Sequence, residues 1–248
     1  MTIDKEFDEK RRDQIDAIGQ DEQLGVLTRQ WLSRAQEKQY SYHFDWLGLP
    51  IIQYPQDIVA MQEIVWSVKP DLIVETGIAR GGSVVFYASM LELLAICGHG
   101  DGSVLAVDID IRPHNRQSIA EHPLARRIDM IEGPSIAADT IAQVKAKAEG
   151  KERILVCLDS NHTHDHVLEE LRAYASLASV GSYVVVFDTL VEDLSAAAIG
   201  DRSWGKGNNP KTAVWAFLEE NDCFEIDRSI HDKLQISVAP DGFLKRVR

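Results

Sequence analysis

Short apolar runs alternate with longer segments of helical spacing through most of this chain. The runs stand at 72–76, 104–108, 128–132, 154–159 and 183–188. Runs of this length, bounded by turn residues, read as strands covered on both faces. The segments between them predict helices from Ser83 to about Cys97, up to about Glu149, from Thr163 to about Leu177 and over 211–220. Strands separated by helices indicate a parallel sheet with both faces covered. The tail, residues 223–240, reads as two more strands around His231, Asp232 and Lys233, so the sheet closes on an antiparallel hairpin. Upstream, residues 2–38 are polar and helix-prone. Leu24, Leu27, Trp31 and Leu32 follow i, i+3, i+7, i+8 spacing and predict one buried helix face. Residues 41–58 are aromatic-rich and broken by Gly48, Pro50 and Pro55, which predicts short elements and loops packed into the core or lying over a ligand. A helix over 56–68 leads into the first strand and stops before Pro70. The expected organisation is an α/β domain over residues 56–248 behind a helical and aromatic extension over 1–55.

A chain of 248 residues is long enough for such a domain with a full core. Its net charge of −13 argues against a nucleic-acid partner, whose footprint is usually basic. The three cysteines, Cys97, Cys157 and Cys223, are far apart and read as reduced thiols of a cytoplasmic protein. The densely charged start has no signal-peptide core, and no apolar run approaches the ~20 residues of a membrane span.

The stretch Asp71–Ser83, DLIVETGIARGGS, passes from strand through a glycine turn into a helix. That order presents backbone N–H groups and a helix N-terminus to a ligand. A dinucleotide fingerprint fails because Glu75 stands two before Gly77 where a glycine is needed. A P-loop fails because Ser83 stands where its lysine must be. The pattern Glu75-x-Gly77-x-x-x-Gly81-Gly82-Ser83 instead resembles motif I of class I S-adenosylmethionine methyltransferases. A carboxylate suits the cationic amine and sulfonium of that cofactor. The plain alternative is a turn that holds no ligand.

In an open α/β sheet, ligands bind beyond the carboxyl ends of the strands. Here all five apolar runs carry an acid at their end or one residue before it: Glu75, Asp108, Glu132, Asp159 and Asp188. Asp108 stands where a carboxylate accepts a ribose diol, and Ser135 after the third run is a candidate for an adenine edge. Asp159 and Asp188, on neighbouring strand ends, suit one hard cation such as Mg²⁺. After Asp159 come His162, His164 and His166, either a metal-binding run or a helix start with exposed histidines. Residues 200–210 place Arg202, Trp204 and Lys206 among glycines, as a mobile lid over an anionic nucleotide sugar or as an ordinary surface loop.

Three stretches, ETGIARGGS, LDSNHTHDHVLEEL and GSYVVVFDT, are similar to the cephalosporin hydroxylase / rhamnosyl O-methyltransferase family over roughly residues 40–240. The resemblance implies a Rossmann-like class I methyltransferase fold, a seven-stranded, mostly parallel sheet with helices on both faces. It implies S-adenosyl-L-methionine as methyl donor, a divalent metal, Mg²⁺, and a sugar or nucleotide-sugar hydroxyl as acceptor. Carried over by position, Glu75, Gly77, Ala79 and Ser83 line the methionine end, Asp108 takes the ribose, and Ser135 and Asp159 complete the cofactor site. Asp159 and Asp188 become metal ligands, His162 the base, and Arg202 and Trp204 meet the acceptor. Phe187 stands where relatives often carry glutamate, and Glu192 and Asp193 are the next carboxylates on. The rivals are a methyltransferase of a non-sugar hydroxyl, a non-haem iron oxygenase using His43 and Asp45, and a non-catalytic binder. A homo-oligomer is expected from the long helical N-terminal segment.

Overall fold

The computed structural model describes residues 4–248. Two helices open the chain, α1 (Lys5–Gly19) and α2 (Glu22–Glu37), each begun by an aspartate whose side chain accepts backbone N–H groups of the first turn. Two short antiparallel strands follow, β1 (Phe44–Trp46) and β2 (Leu49–Ile51), and then α3 (Pro55–Val68). From there strand and helix alternate: β3 (Leu72–Thr76), α4 (Gly82–Ile96), β4 (Ser103–Asp108), α5 (Pro113–Ala120), β5 (Ile128–Glu132), α6 (Ala138–Ala148), β6 (Ile154–Leu158), α7 (His164–Tyr174) and β7 (Tyr183–Val186). The chain ends with the short α8 (Ala196–Ile199), α9 (Pro210–Glu220), β8 (Phe224–Ile226), α10 (Arg228–Leu234) and β9 (Phe243–Arg246).

The main sheet has the order β5-β4-β3-β6-β7-β9-β8, and β9 alone runs against its neighbours. This is the expected seven-stranded, mostly parallel sheet with an antiparallel end. The strand order reverses between β3, whose other neighbour is β4, and β6, so a crevice opens at their carboxyl ends. β3 and β6 are buried along their whole length, which is why both read as unbroken apolar runs.

The sequence misplaces the last strand. Residues 228–234 are helical, and residues 236–238 make no strand although Ile236 and Val238 are apolar and β-branched. The physical reason is Asp57. Its buried carboxylate accepts the Ser237 hydroxyl at 2.6 Å and the Val238 N–H at 2.9 Å, so this backbone is paired to α3 instead of to the sheet. The strand is Phe243–Arg246, inserted between β7 and β8.

The stripe expected on α2 is also turned. Leu32 and Ala35 are the buried positions, while Leu27 is 61% and Trp31 37% exposed. Trp31 still packs edge-on against Tyr40 and Tyr54. The β1–β2 hairpin lies on α4, where the Trp46 indole donates to Ser89 and its ring meets Phe86 edge-on. Gly82 permits this contact, because a Cβ there would stand 2.2 Å from the Pro50 carbonyl oxygen. The segment before α3 is therefore seated directly over the glycine turn.

Candidate active site

The glycine turn is fastened from three sides. Gly77 has φ +94°, and a Cβ there would lie 2.0 Å from the carbonyl oxygen of Asp159, so only glycine lets the turn close onto the end of β6. Asp108 at the end of β4 accepts the N–H of Ile78 at 2.8 Å and of Ala79 at 3.3 Å. The Asn115 amide on α5 donates to the Ala79 carbonyl. These bonds hold Ala79 at φ +45°, a conformation L-residues rarely adopt. Glu75 lies beneath, with no exposure and no hydrogen-bond partner for either oxygen. Burial pushes its pKa up to about 8, against the opposing pull of the nearby Ser83 hydroxyl.

Beyond the turn, β6 and β7 are neighbours and bring their terminal acids together. Asp159, His162 and Asp188 each offer a ligand atom within 4.8 Å of the others, the one such group among the described residues. His162 Nε2 is 3.2 Å from Asp188 Oδ2. Removal from water raises the Asp159 pKa well above the carboxylate range, and the charges of Asp188, Glu75 and Glu170 raise it further. Asp188 itself sits at φ +55°. Two carboxylates and an imidazole held this close fit a divalent cation, which would relieve the repulsion between the acids.

The three histidines that follow Asp159 do not act together. His164 Nδ1 meets the Thr212 hydroxyl on α9 at 2.8 Å. His166 Nε2 lies within reach of Ser135, Ser160 and the buried Glu170. Only His162 joins the acids. Ser135 is buried and faces His166, and it lines none of the cavities described below. Glu132, on the edge strand, pairs with Arg116 instead. Neither candidate for a further carboxylate reaches the cluster. Glu192 accepts from Gly207 N–H and the Asn209 amide, and Asp193 pairs with Lys211 at 2.6 Å. Phe187 is buried in the core. His43 and Asp45 are exposed and belong to no such group.

Three adjoining cavities share Ile52 and Ala79. One lies along the glycine turn between Gly77, Ser83 and Asp159. A second, of about 330 Å³, runs over Asp108, Ile109 and Asn115. The third, of about 240 Å³, holds Asp159, His162 and Asp188 at its floor, with Arg202 and Trp204 at its wall. The Trp204 ring stands edge-on to His162 at 4.9 Å. The loop carrying Trp204 is pinned by Glu192 and by paired backbone bonds between Gly205 and Asn208. Gln36 and Tyr42 complete this cavity from the N-terminal extension. No local motif marks these two residues. The aromatic richness of 41–58 was a signal for Tyr42 alone.

A sequence model described as Rhamnosyl O-methyltransferase/CmcI matches residues 38–247. The chain belongs to this family. Within it, the rhamnosyl O-methyltransferase of Mycobacterium leprae (strain TN) is 30% identical over 207 residues, covering 81% of this chain and 82% of that protein. The rhamnosyl O-methyltransferase of Mycobacterium bovis (strain BCG / Pasteur 1173P2) is 29% identical over 203 residues, covering 81% and 77%. A CmcI structure with Mg and SAM superposes with a TM-score of 0.56 at 17% identity, over 84% of this chain and 78% of that one. The methyltransferase MycE, in complex with Mg, SAH and mycinamycin VI, gives 0.53 at 14% identity, over 88% and 54%. These likenesses place the sheet in the class I methyltransferase fold. Membership of the family makes the chain an S-adenosylmethionine-dependent O-methyltransferase. Among the described residues no helix is long and apolar enough to cross a membrane.

Proposed function

We propose that this enzyme methylates a sugar hydroxyl, on a deoxysugar or a nucleotide sugar, in the biosynthesis of a natural product or a cell-surface glycan. The observation that carries the reading is the cluster of Asp159, His162 and Asp188 on the floor of a cavity that adjoins the glycine turn. Supporting it are the relatives named for rhamnosyl methylation and the MycE structure with Mg, SAH and mycinamycin VI.

In this reading S-adenosylmethionine lies along the turn past Gly77, Ala79 and Ser83, with its ribose at Asp108. Asp159 and Asp188 hold a divalent cation, Mg²⁺. When bound, the cation lowers the pKa of an acceptor hydroxyl and fixes its position. The hydroxyl oxygen attacks the sulfonium methyl in line, the carbon–sulfur bond breaks, and S-adenosylhomocysteine leaves. His162, whose Nε2 lies 3.2 Å from Asp188 Oδ2, takes the hydroxyl proton. Trp204 covers the sugar ring and Arg202 meets an anionic group on the acceptor. The edge-on stacking of Trp204 on His162 supports placing the ring there. The exposed side chains of Val26 and Leu27 on α2 support a homo-oligomer.

The test is methyl transfer from labelled S-adenosylmethionine to rhamnosyl and nucleotide-sugar acceptors, with and without Mg²⁺. Transfer that His162→Ala lowers by about 10²- to 10⁴-fold, while leaving cofactor affinity in place, is the expected result. Turnover on phenolic acceptors alone would transfer the reading to a non-sugar hydroxyl.

A further inference from the structure

Gln53 is 2% exposed, and both its amide oxygen and its amide nitrogen lack a partner. A buried amide left this way costs stability unless something else satisfies it. Gln53 lines the cavity along the glycine turn, together with Gly77, Gly82, Ser83 and Asp159. Glu75, buried beneath this cavity with its carboxyl near the Ser83 hydroxyl, also has no partner on either oxygen. Between them they offer acceptors and an N–H donor, next to the N-terminus of the 15-residue helix α4. We infer that Gln53 binds the amino-acid end of the methyl donor, giving its amide N–H to the carboxylate while Glu75 receives the ammonium. This rests on the methyltransferase reading above.

The chemistry matches the ligand at both ends. A zwitterion needs an anion for its ammonium and N–H donors for its carboxylate. Glu75 supplies the first. The start of α4 and Gln53 supply the second, because a helix N-terminus favours negative charge and a side-chain amide donates without adding a charge. Gln53 lies two residues past the end of β2, whose backbone is locked onto Gly82 by the close approach of Pro50. The hairpin thus carries a cofactor-binding residue, and the site is not confined to the strand-ends of the α/β domain.

The experiment compares two ligands on the full chain by calorimetry. S-adenosylhomocysteine has the amino-acid end, and 5′-methylthioadenosine lacks it but keeps the nucleoside. Gln53→Leu is expected to weaken S-adenosylhomocysteine about 10- to 100-fold, since the lost bond is to a charged group. It is expected to change 5′-methylthioadenosine less than about 2-fold, within measurement scatter of an absent contact. Gln53→Met is measured in parallel, with a thermal melt on each variant to establish folding. Equal loss on both ligands in the folded variants, or unchanged S-adenosylhomocysteine affinity, overturns the assignment and leaves the methyltransferase reading standing. Wild-type protein that binds neither S-adenosylmethionine nor S-adenosylhomocysteine overturns both.

Discussion

Glu75 has both carboxylate oxygens buried without a partner, and its pKa is pushed up from an ordinary 4.5 to about 8 by burial. Between those values the unfolded chain loses the proton and the folded chain keeps it. Stability of the free protein therefore falls as pH rises through this window, by about 1.4 kcal/mol per pH unit for one such group. Asp57, buried and pushed up to about 7, adds the same sign over a lower range. Urea unfolding between pH 5 and 8.5 is expected to show the decline, and Glu75→Gln to flatten its upper part. An unchanged slope in the variant would assign the effect elsewhere. The second prediction at this scale concerns Asp188. Burial raises the Asp159 pKa well above the carboxylate range, and the charge of Asp188 raises it further. Asp188→Asn should raise the melting temperature of the metal-free protein by a few degrees, about 1 kcal/mol of relieved repulsion. It should also abolish any stabilisation by Mg²⁺, which scanning calorimetry with and without the ion reads directly. The acids were legible as strand ends in the sequence. Their partners were not: Gln53 and Tyr42 come from segments with no periodicity to orient them, and Gln36 from the end of a helix whose inward face the spacing did not fix.

At the scale of elements, two glycines join pieces that the sequence treats as separate. Gly82→Ala would drive a methyl into the Pro50 carbonyl, and Gly77→Ala one into the Asp159 carbonyl. Each should destabilise by about 2–4 kcal/mol. They should differ in what else is lost. Gly82→Ala lifts the β1–β2 hairpin and should weaken S-adenosylhomocysteine, with tryptophan fluorescence reporting a displaced Trp46. Gly77→Ala moves the turn against β6 and should weaken the cofactor and divalent cations together. Equal metal affinity in the two variants would contradict this division. Strand-turn-helix order around Asp71–Ser83 was readable because each signal is local: an apolar run, glycines, then an amphipathic stretch. The last strand was not, because residues 236–238 and Phe243–Arg246 are both short and each carries only two apolar side chains. The choice between them lies with Asp57, some 180 residues earlier in the chain. On α2 the spacing was helical as expected. The face that turned inward carries Leu32 and Ala35, while Trp31 at its margin meets the rings of Tyr40 and Tyr54 edge-on.

For the whole molecule, cofactor and fold are linked, since the cavity along the glycine turn is closed by the hairpin on one side and by β3 and β6 on the other. S-adenosylhomocysteine at 100 times its dissociation constant should add about 2.7 kcal/mol of stability. That corresponds to roughly 5–10 °C in the melting temperature of a chain this size. Differential scanning fluorimetry checks it, and no shift at millimolar ligand would count against the site. Burial patterns and turn chemistry are properties of neighbouring residues, so the amino-acid sequence by itself determined the alternation of strands and helices, the parallel core and the acids at its edge. Only the tertiary structure decided which acids meet. Asp159 and Asp188 are neighbours because β6 lies beside β7, and His162 joins them while His164 and His166 bond to Thr212, Ser135 and Ser160. Such pairings depend on strand order and on contacts between residues distant in the chain, which no local spacing records.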